Sequence, residues 1–449
     1  MTRSPWFVIR DAVHGDIYLT REEGRILDCL EMQRLRGIRQ LGLAHLVYPS
    51  ARHSRFEHSI GTLHMAQAMI DAIRRNARLD PATCRDIDDD EARAIRAAAL
   101  VHDVTHIPFG HNIEDQSGLL PRHDEAARFE DMLGDGRELG RELAAQGLRD
   151  AVLALLGARE SQWAPFSAQM VSDTICSDLM DYLRRDSYFT GLQVSYDARI
   201  VGYFRVDPQD ERLYVDCEKN GLLRDDIVSE VLRMLQARYY FSERVYYHHA
   251  KIAAGAMVAR AVETALREEW LAPSGLYDMT DEGLLLELAR RNDPKRRSIA
   301  QLLERLARRV LYKRVAVFPW ASNQGMQDRL IDDFFAPRAA QTRGAWERER
   351  EAEIRDRFGC EEQVLFYCPN RRMQLKEVGT LVRVPWSDTL EPLSAFKDRL
   401  PRIADLEQSY LRLWKAYVFT SSVDPQVRRF LQERVRACLP GAVDEYRMA

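Results

Sequence analysis

Apolar residues recur at helical spacing along most of this chain, and departures from that spacing are confined to short stretches. Residues 5–20 alternate, with Gly15 as a break, and predict a short hairpin. Residues 22–42 (EEGRILDCLEMQRLRGIRQLG) carry apolar positions at helical spacing and read as a helix. The next helix is expected from near Glu57, with Ile60, Leu63, Met69, Ile70 and Ile73 on one side and His58 in its first turn. Residues 86–103 (DIDDDEARAIRAAALVHD) open on aspartates suited to cap a helix and favour its positive end, then continue in strongly helix-forming alanines. Thr105, Pro108 and Gly110 end that helix, so His102 and Asp103 point from its end into a turn.

Residues 167–192 read as a further helix, on which Asp178, Tyr182 and Asp186 stand four apart and share one face. Between Ser195 and Asp216, Pro208 and Gln209 separate YFRV from RLYV, the pattern of a hairpin, and 225–270 return to helix. The stretch RRNDPKRRS at 290–298 is the nearest approach to a boundary. It divides a core over 1–290 from a C-terminal α+β region over 291–449, expected to pack on the core and to take part in oligomerisation. Within that region, 340–357 read as a highly charged, solvated helix, EEQVLFYCPN and GTLVRVPW as strands, and 403–418 and 424–438 as helices. The expected class is mainly α: a helical core, small β-hairpins and a C-terminal α+β region.

Composition narrows the class of protein. A chain of 449 residues with 46% hydrophobic and 30% charged residues is globular rather than disordered. No apolar run approaches the roughly 18 residues of a membrane span, so a soluble protein is expected. The opening MTRSPWFVIRDAVHG lacks the features of an export signal, and a cytoplasmic location is expected. A net charge of -4 leaves no global footprint for nucleic acid, so stable nucleic-acid binding is not expected. The seven cysteines form no CxxC pair and read as buried thiols.

The histidines are unevenly spread: all 11 lie at or before His249, and seven fall between His53 and His123. His58, His102, Asp103 and Asp178 offer two imidazoles and two carboxylates from separate segments, a set suited to one divalent ion of the Mn2+, Mg2+, Fe2+ or Zn2+ kind beside a phosphate. Such an ion lowers the pKa of bound water and withdraws charge from phosphorus. His106, His111 and His123 are candidates for moving the proton that a phosphate-ester leaving group needs.

The order H…HD…D, with DAVHGDIYLT (11–20), QRLRGIRQLGLAHLVYPSARHSRFEHSIG (33–61) and RYYFSERVYYHHAK (238–251), resembles the deoxynucleoside triphosphate triphosphohydrolase branch of the HD-domain phosphohydrolases over about half the chain. The resemblance implies an HD-domain helical core and hydrolysis of a deoxynucleoside triphosphate at the α-phosphorus, releasing deoxynucleoside and inorganic triphosphate. It makes His111 the general acid, with Glu114 orienting it, and sets His106 and His123 along the phosphate pocket or behind the metal ligands. Arg55 matches an α-phosphate arginine, Arg238 a distal-phosphate arginine and Lys251 a further cation. Gln40 and Leu41 match positions that meet the sugar, Asp186 a 3′-hydroxyl acceptor, and Tyr182 and Tyr246 tyrosines flanking sugar and phosphates. It also implies a homo-oligomer, dimer or tetramer, and leaves room for a nucleotide activator whose site matches no residues here. Where the family has LGHGPFSH, this chain has VTHIPFGH, so Thr105 and Ile107 replace two glycines and alter the turn. The alternatives are another HD-type nucleotide phosphohydrolase or phosphodiesterase, acting on a modified nucleotide or a single strand, and a non-catalytic nucleotide-binding scaffold.

Overall fold

Thr20, Ser54 and Asp88 each accept a hydrogen bond from the backbone three residues on, and Glu23, Glu57 and Glu91 return it, so three helices of the N-terminal part begin with reciprocal caps. They are Arg21–Asp28, Arg55–Leu79 and Asp89–Val101. The computed structural model describes residues 6–117, 120–290, 297–336, 339–369 and 379–448. The long helix starts at Arg55, two residues before the expected start, because its box closes on Ser54. Its predicted apolar face holds: Leu63, Met69, Ile70 and Ile73 are fully buried between the Asp89–Val101 and Ser177–Thr190 helices.

The hairpin pairs Trp6–Asp11 with Gly15–Thr20. The helix expected over 22–42 is broken at Cys29 (ψ 144°), and only Leu30–Arg34 and a 3-10 turn at Leu35–Gly37 follow. Tertiary bonds override its periodicity. The Glu31 carboxylate accepts from the amides of Glu138 and Leu139 (both 3.1 Å), and Gln33 donates to the Leu27 carbonyl at 2.7 Å. The helix expected over 167–192 is likewise two, Pro165–Ser172 and Ser177–Thr190, the second closed by Gly191 at φ 72°. That division puts Asp178 in a first helical turn.

The expected hairpin forms between Phe204–Val206 and Leu213–Asp216, and the latter also pairs in parallel with Leu381–Arg383 from far along the chain. With Glu391–Pro392 these make a four-stranded sheet. A second sheet sets Lys415–Thr420 between Lys313–Pro319 and Val364–Tyr367. The helix expected over 403–418 therefore ends at Leu411 and its last residues are strand, while Pro425–Cys438 is helical as expected. Most of the boundary stretch 290–298 lies outside the described residues.

The charged helix Ala340–Phe358 is not a solvated one. Arg343, Glu347 and Arg350 are buried, with Arg343 donating to Glu263 at 2.9 Å and Arg260 donating to Glu347. Glu347 also accepts from the Phe366 amide at 2.7 Å, so its charge is what joins the helix to the sheet. All seven cysteines are free thiols; Cys29, Cys84, Cys176, Cys217 and Cys368 are buried as expected, whereas Cys360 and Cys438 are half-buried. Among the described residues no helix is long and apolar enough to cross a membrane.

Candidate metal centre and active site

Three helices deliver the four expected ligands to one point. His58 lies one turn into Arg55–Leu79, His102 caps the end of Asp89–Val101 with Asp103 beside it, and Asp178 enters from the start of Ser177–Thr190. His58 Nε2 is 2.9 Å from Asp178 Oδ1, 3.2 Å from His102 Nε2 and 3.8 Å from Asp103 Oδ2. His102 Nε2 stands 3.6 Å from Asp103 Oδ1 and 3.7 Å from Asp178 Oδ1.

Each imidazole has its other nitrogen engaged. His58 Nδ1 meets Asp181 Oδ2 at 2.7 Å and His102 Nδ1 meets the Ala99 carbonyl at 2.8 Å, which turns both Nε2 lone pairs toward two carboxylates. Acceptors facing acceptors at this range repel unless positive charge sits among them. The same need for positive charge shows in His58: burial alone lowers its pKa, yet the hydrogen bonds of Asp178 and Asp181 and the charge of Asp103 push it up to about 10, so a proton on Nε2 takes the place a cation would fill. The donor set fits a divalent cation with mixed nitrogen and oxygen ligands, and the 34% exposed Asp178 side chain leaves one side open.

Behind the ligands lies a charge relay that sequence reading missed. Asp181, fully buried, accepts from His14 Nε2 at 2.6 Å and from two nitrogens of Arg185 at 2.9 Å, and Arg185 reaches on to Asp11 at 2.8 Å. The approach is so close that a Cβ at Gly61 would lie 2.0 Å from Asp181 Oδ1. The available signals were the spacing of Asp181 and Arg185, four apart on a helix already recognised, and His14 in the DAVHG text.

The second group of histidines gathers beside the first. The rings of His106 and His123 stack at 3.8 Å between centroids, with His111 at 5.3 Å and 4.8 Å from them, and His106 Nε2 lies 3.1 Å from Asp103 Oδ1. Glu114 takes hydrogen bonds from His123 Nδ1 and Arg128 Nη1, both at 3.0 Å; Arg128 is another partner the sequence did not suggest. Burial, Arg55 and His123 together hold the His106 pKa well below its usual value, despite Asp103. The positive φ angles in the altered turn fall at Phe109 (59°) and Gly110 (42°), not at Thr105 or Ile107. Thr105 instead ties His123 by donating to its carbonyl at 2.7 Å.

Arg55, 4% exposed, donates to Asp103 Oδ2 at 2.6 Å. From the metal ligands a chain of contacts leads to the remaining predicted residues. The Tyr182 ring is 6.5 Å from that of His58, and Arg238 lies among Tyr182, Tyr410 and Tyr246, whose influence outweighs burial and raises its pKa. Lys251 stands 5.6 Å from the Tyr246 ring. Asp186 is bonded to Tyr246 at 2.5 Å and to His53 at 3.0 Å, and the Gln40 amide donates to the His53 carbonyl, beside the buried Leu41. Along this path Gln40 Oε1, His53 Nδ1, Arg55 Nε and His106 Nδ1 are buried with no partner. Each costs about 1–3 kcal/mol if left without a bond partner.

Residues 55–186 match the HD domain family and 216–434 the HD associated region. An uncharacterized protein of Methanocaldococcus jannaschii is 31% identical over 319 residues, covering 70% of this chain and 60% of that protein. The deoxynucleoside triphosphate triphosphohydrolase SAMHD1 homolog of Dictyostelium discoideum is 26% identical (68% of this chain, 59% of that one), and the Homo sapiens SAMHD1 enzyme 25% identical (69% and 54%). The chain thus spans between 54% and 60% of the length of these three relatives. The crystal structure of a phosphohydrolase from Bacteroides thetaiotaomicron shares the fold with a TM-score of 0.66 at 22% identity, covering 92% of this chain and 99% of that one.

Proposed function

This chain belongs to the HD-domain proteins, and from that premise we propose that it is a metal-dependent phosphohydrolase whose substrate is a deoxynucleoside triphosphate. The observation that carries the reading is the line of buried, unpartnered polar atoms from His106 and Arg55 beside the ligand cluster to His53 and Gln40 at the other end. A ligand that is anionic at one end and hydroxylated at the other answers both sets. The curated relatives named as deoxynucleoside triphosphate triphosphohydrolases support that choice.

His58, His102, Asp103 and Asp178 would hold the ion, which when bound supplies Lewis-acid charge and a nucleophile from solvent. Arg55 directs its guanidinium at the α-phosphate oxygens from beside Asp103, and Arg238 and Lys251 take the distal phosphates. His111 protonates the departing 5′-oxygen, because it is the exposed member of its cluster and can be reloaded from solvent, whereas buried His106 stays neutral and serves as a hydrogen-bond partner. Glu114 orients His123, and through it the face against which His111 stands. Gln40 reads the sugar, Leu41 excludes a 2′-hydroxyl by about 1–3 kcal/mol, and Tyr182, Tyr246 and Asp186 form the adjoining wall.

Metal-loaded protein is incubated with a panel of deoxy- and ribonucleotides and the products are identified by mass. Deoxynucleoside with inorganic triphosphate is the expected result. Monophosphate with pyrophosphate overturns the α-phosphorus reading with nucleoside release. The refashioned Thr105–Gly110 turn favours one second reading, a related phosphohydrolase for a modified nucleotide, which the same panel resolves when extended to modified bases.

A further inference from the structure

One carboxylate of the HD-associated region holds two separate pieces of the HD-side pocket by their backbones. Asp281 is fully buried at the start of the Asp281–Ala289 helix. Its Oδ1 accepts from the Phe109 amide at 2.8 Å, and its Oδ2 accepts from the Arg39 amide at 3.0 Å and from Arg39 Nη1 at 3.2 Å. Neither piece is incidental. Arg39 immediately precedes Gln40 and Leu41 and bridges to Ser54, the cap of the helix bearing Arg55 and His58. Phe109 is a non-glycine residue at φ 59°, a costly conformation that needs holding, and it is followed by Gly110 and His111. At Gly110 a Cβ would come within 3.1 Å of both Arg55 Nη2 and His106 Nδ1, so the turn runs directly along the phosphate side.

We propose that Asp281 is a positioning residue for this reaction, clasping the sugar-recognition segment Arg39–Leu41 to the turn Phe109–His111 so that the acid and the sugar contacts keep one spacing. The inference rests on the reaction assigned above. Both of its oxygens are spent on the clasp, and the charged groups nearest to it are Arg39 and the neighbouring Glu282. Burial pushes its carboxyl up to about 6, against the hydrogen bonds of the Arg39 and Phe109 amides. A group bonded to two strained or substrate-facing backbones acts through geometry.

The test is Asp281→Asn in the full, metal-loaded chain, with Glu287→Gln as the same-helix charge control, since Glu282 itself accepts from Arg39. Asparagine fits the space but offers one acceptor oxygen instead of two. Turnover of the nucleotide found active in the panel is expected to fall about a hundredfold, the scale of a misplacement near 1 Å, mainly in kcat per folded molecule and beyond any change in Tm. Hydrogen exchange of peptides covering Arg39 and Phe109 is expected to quicken in both together, while Glu287→Gln, on the same helix and paired with Arg290, matches the parent in both. A lowered Tm with parental kcat per folded molecule overturns the clasp, as does exchange that quickens only in the Asp281–Ala289 helix. If the parent turns over no nucleotide, the assigned reaction falls and the exchange result alone decides: joint quickening supports the clasp, and unchanged exchange overturns it.

Discussion

Two buried charge clusters divide this molecule between them, and they differ in which charges face each other. Around Glu347 the signs alternate: Arg260 and the Phe366 amide occupy its two oxygens, and Arg343 is taken by Glu263. Around His58 like faces like, two imidazole nitrogens 3.2 Å apart with the carboxylates of Asp103 and Asp178 beside them. A cluster closed on itself holds helix to sheet. A cluster left open is waiting for something that is not protein.

The comparison breaks most sharply at the metal ligands. His58→Ala is expected to lose metal content and about a thousandfold in turnover, equivalent to several kcal/mol of lost charge stabilisation, read by elemental analysis and initial rates. Chelation of the parent protein should reproduce the loss and added Mn2+ reverse it. Glu347→Gln should do the opposite: it strands buried arginine charge and costs about 3–5 kcal/mol by denaturant titration, with parental turnover per folded molecule. His111→Ala is expected to keep its metal and lose about a hundredfold in rate, since it removes a proton donor rather than a ligand.

Smaller effects sharpen the boundary between the two kinds of cluster. Asp181→Asn leaves the four ligands in place but loosens His58, and should weaken metal affinity about 10-fold to 100-fold in a competition titration. Asp281 has a folded pKa raised to about 6 from 3.8, so the stability it contributes is present below its unfolded pKa and lost as pH rises through about 6. Asp281→Asn should therefore gain stability over the parent by about 1 kcal/mol more at pH 8 than at pH 5. An equal gain at both values would show that the carboxyl is already ionised throughout.

What could be read from the sequence follows the range of the interactions. The Arg55–Leu79 and Asp89–Val101 helices were legible because caps, periodicity and alanine content are local, and the convergence of His58, His102, Asp103 and Asp178 because their text is distinctive. Asp181 was passed over on the very helix that carried Asp178, since nothing in a one-dimensional pattern says that His14 comes to meet it. The helix expected over 22–42 failed for the same reason: Glu31 is spent on amides more than a hundred residues away. The strand at 415–420 was taken for helix because its role is to be flanked by two partners distant in sequence, and the charged run around Glu347 looked solvated because its counter-charges lie elsewhere.

The parallel pairing of Val215 with Val382 has a practical corollary for anyone cutting this protein down. A fragment ending near residue 290 would keep the catalytic text yet bare an apolar ribbon of unsatisfied amides and carbonyls along Leu213–Asp216, an invitation to clump. A protease nick in the intervening chain is a gentler injury, because the severed pieces would remain laced together through that ribbon and co-migrate until denatured.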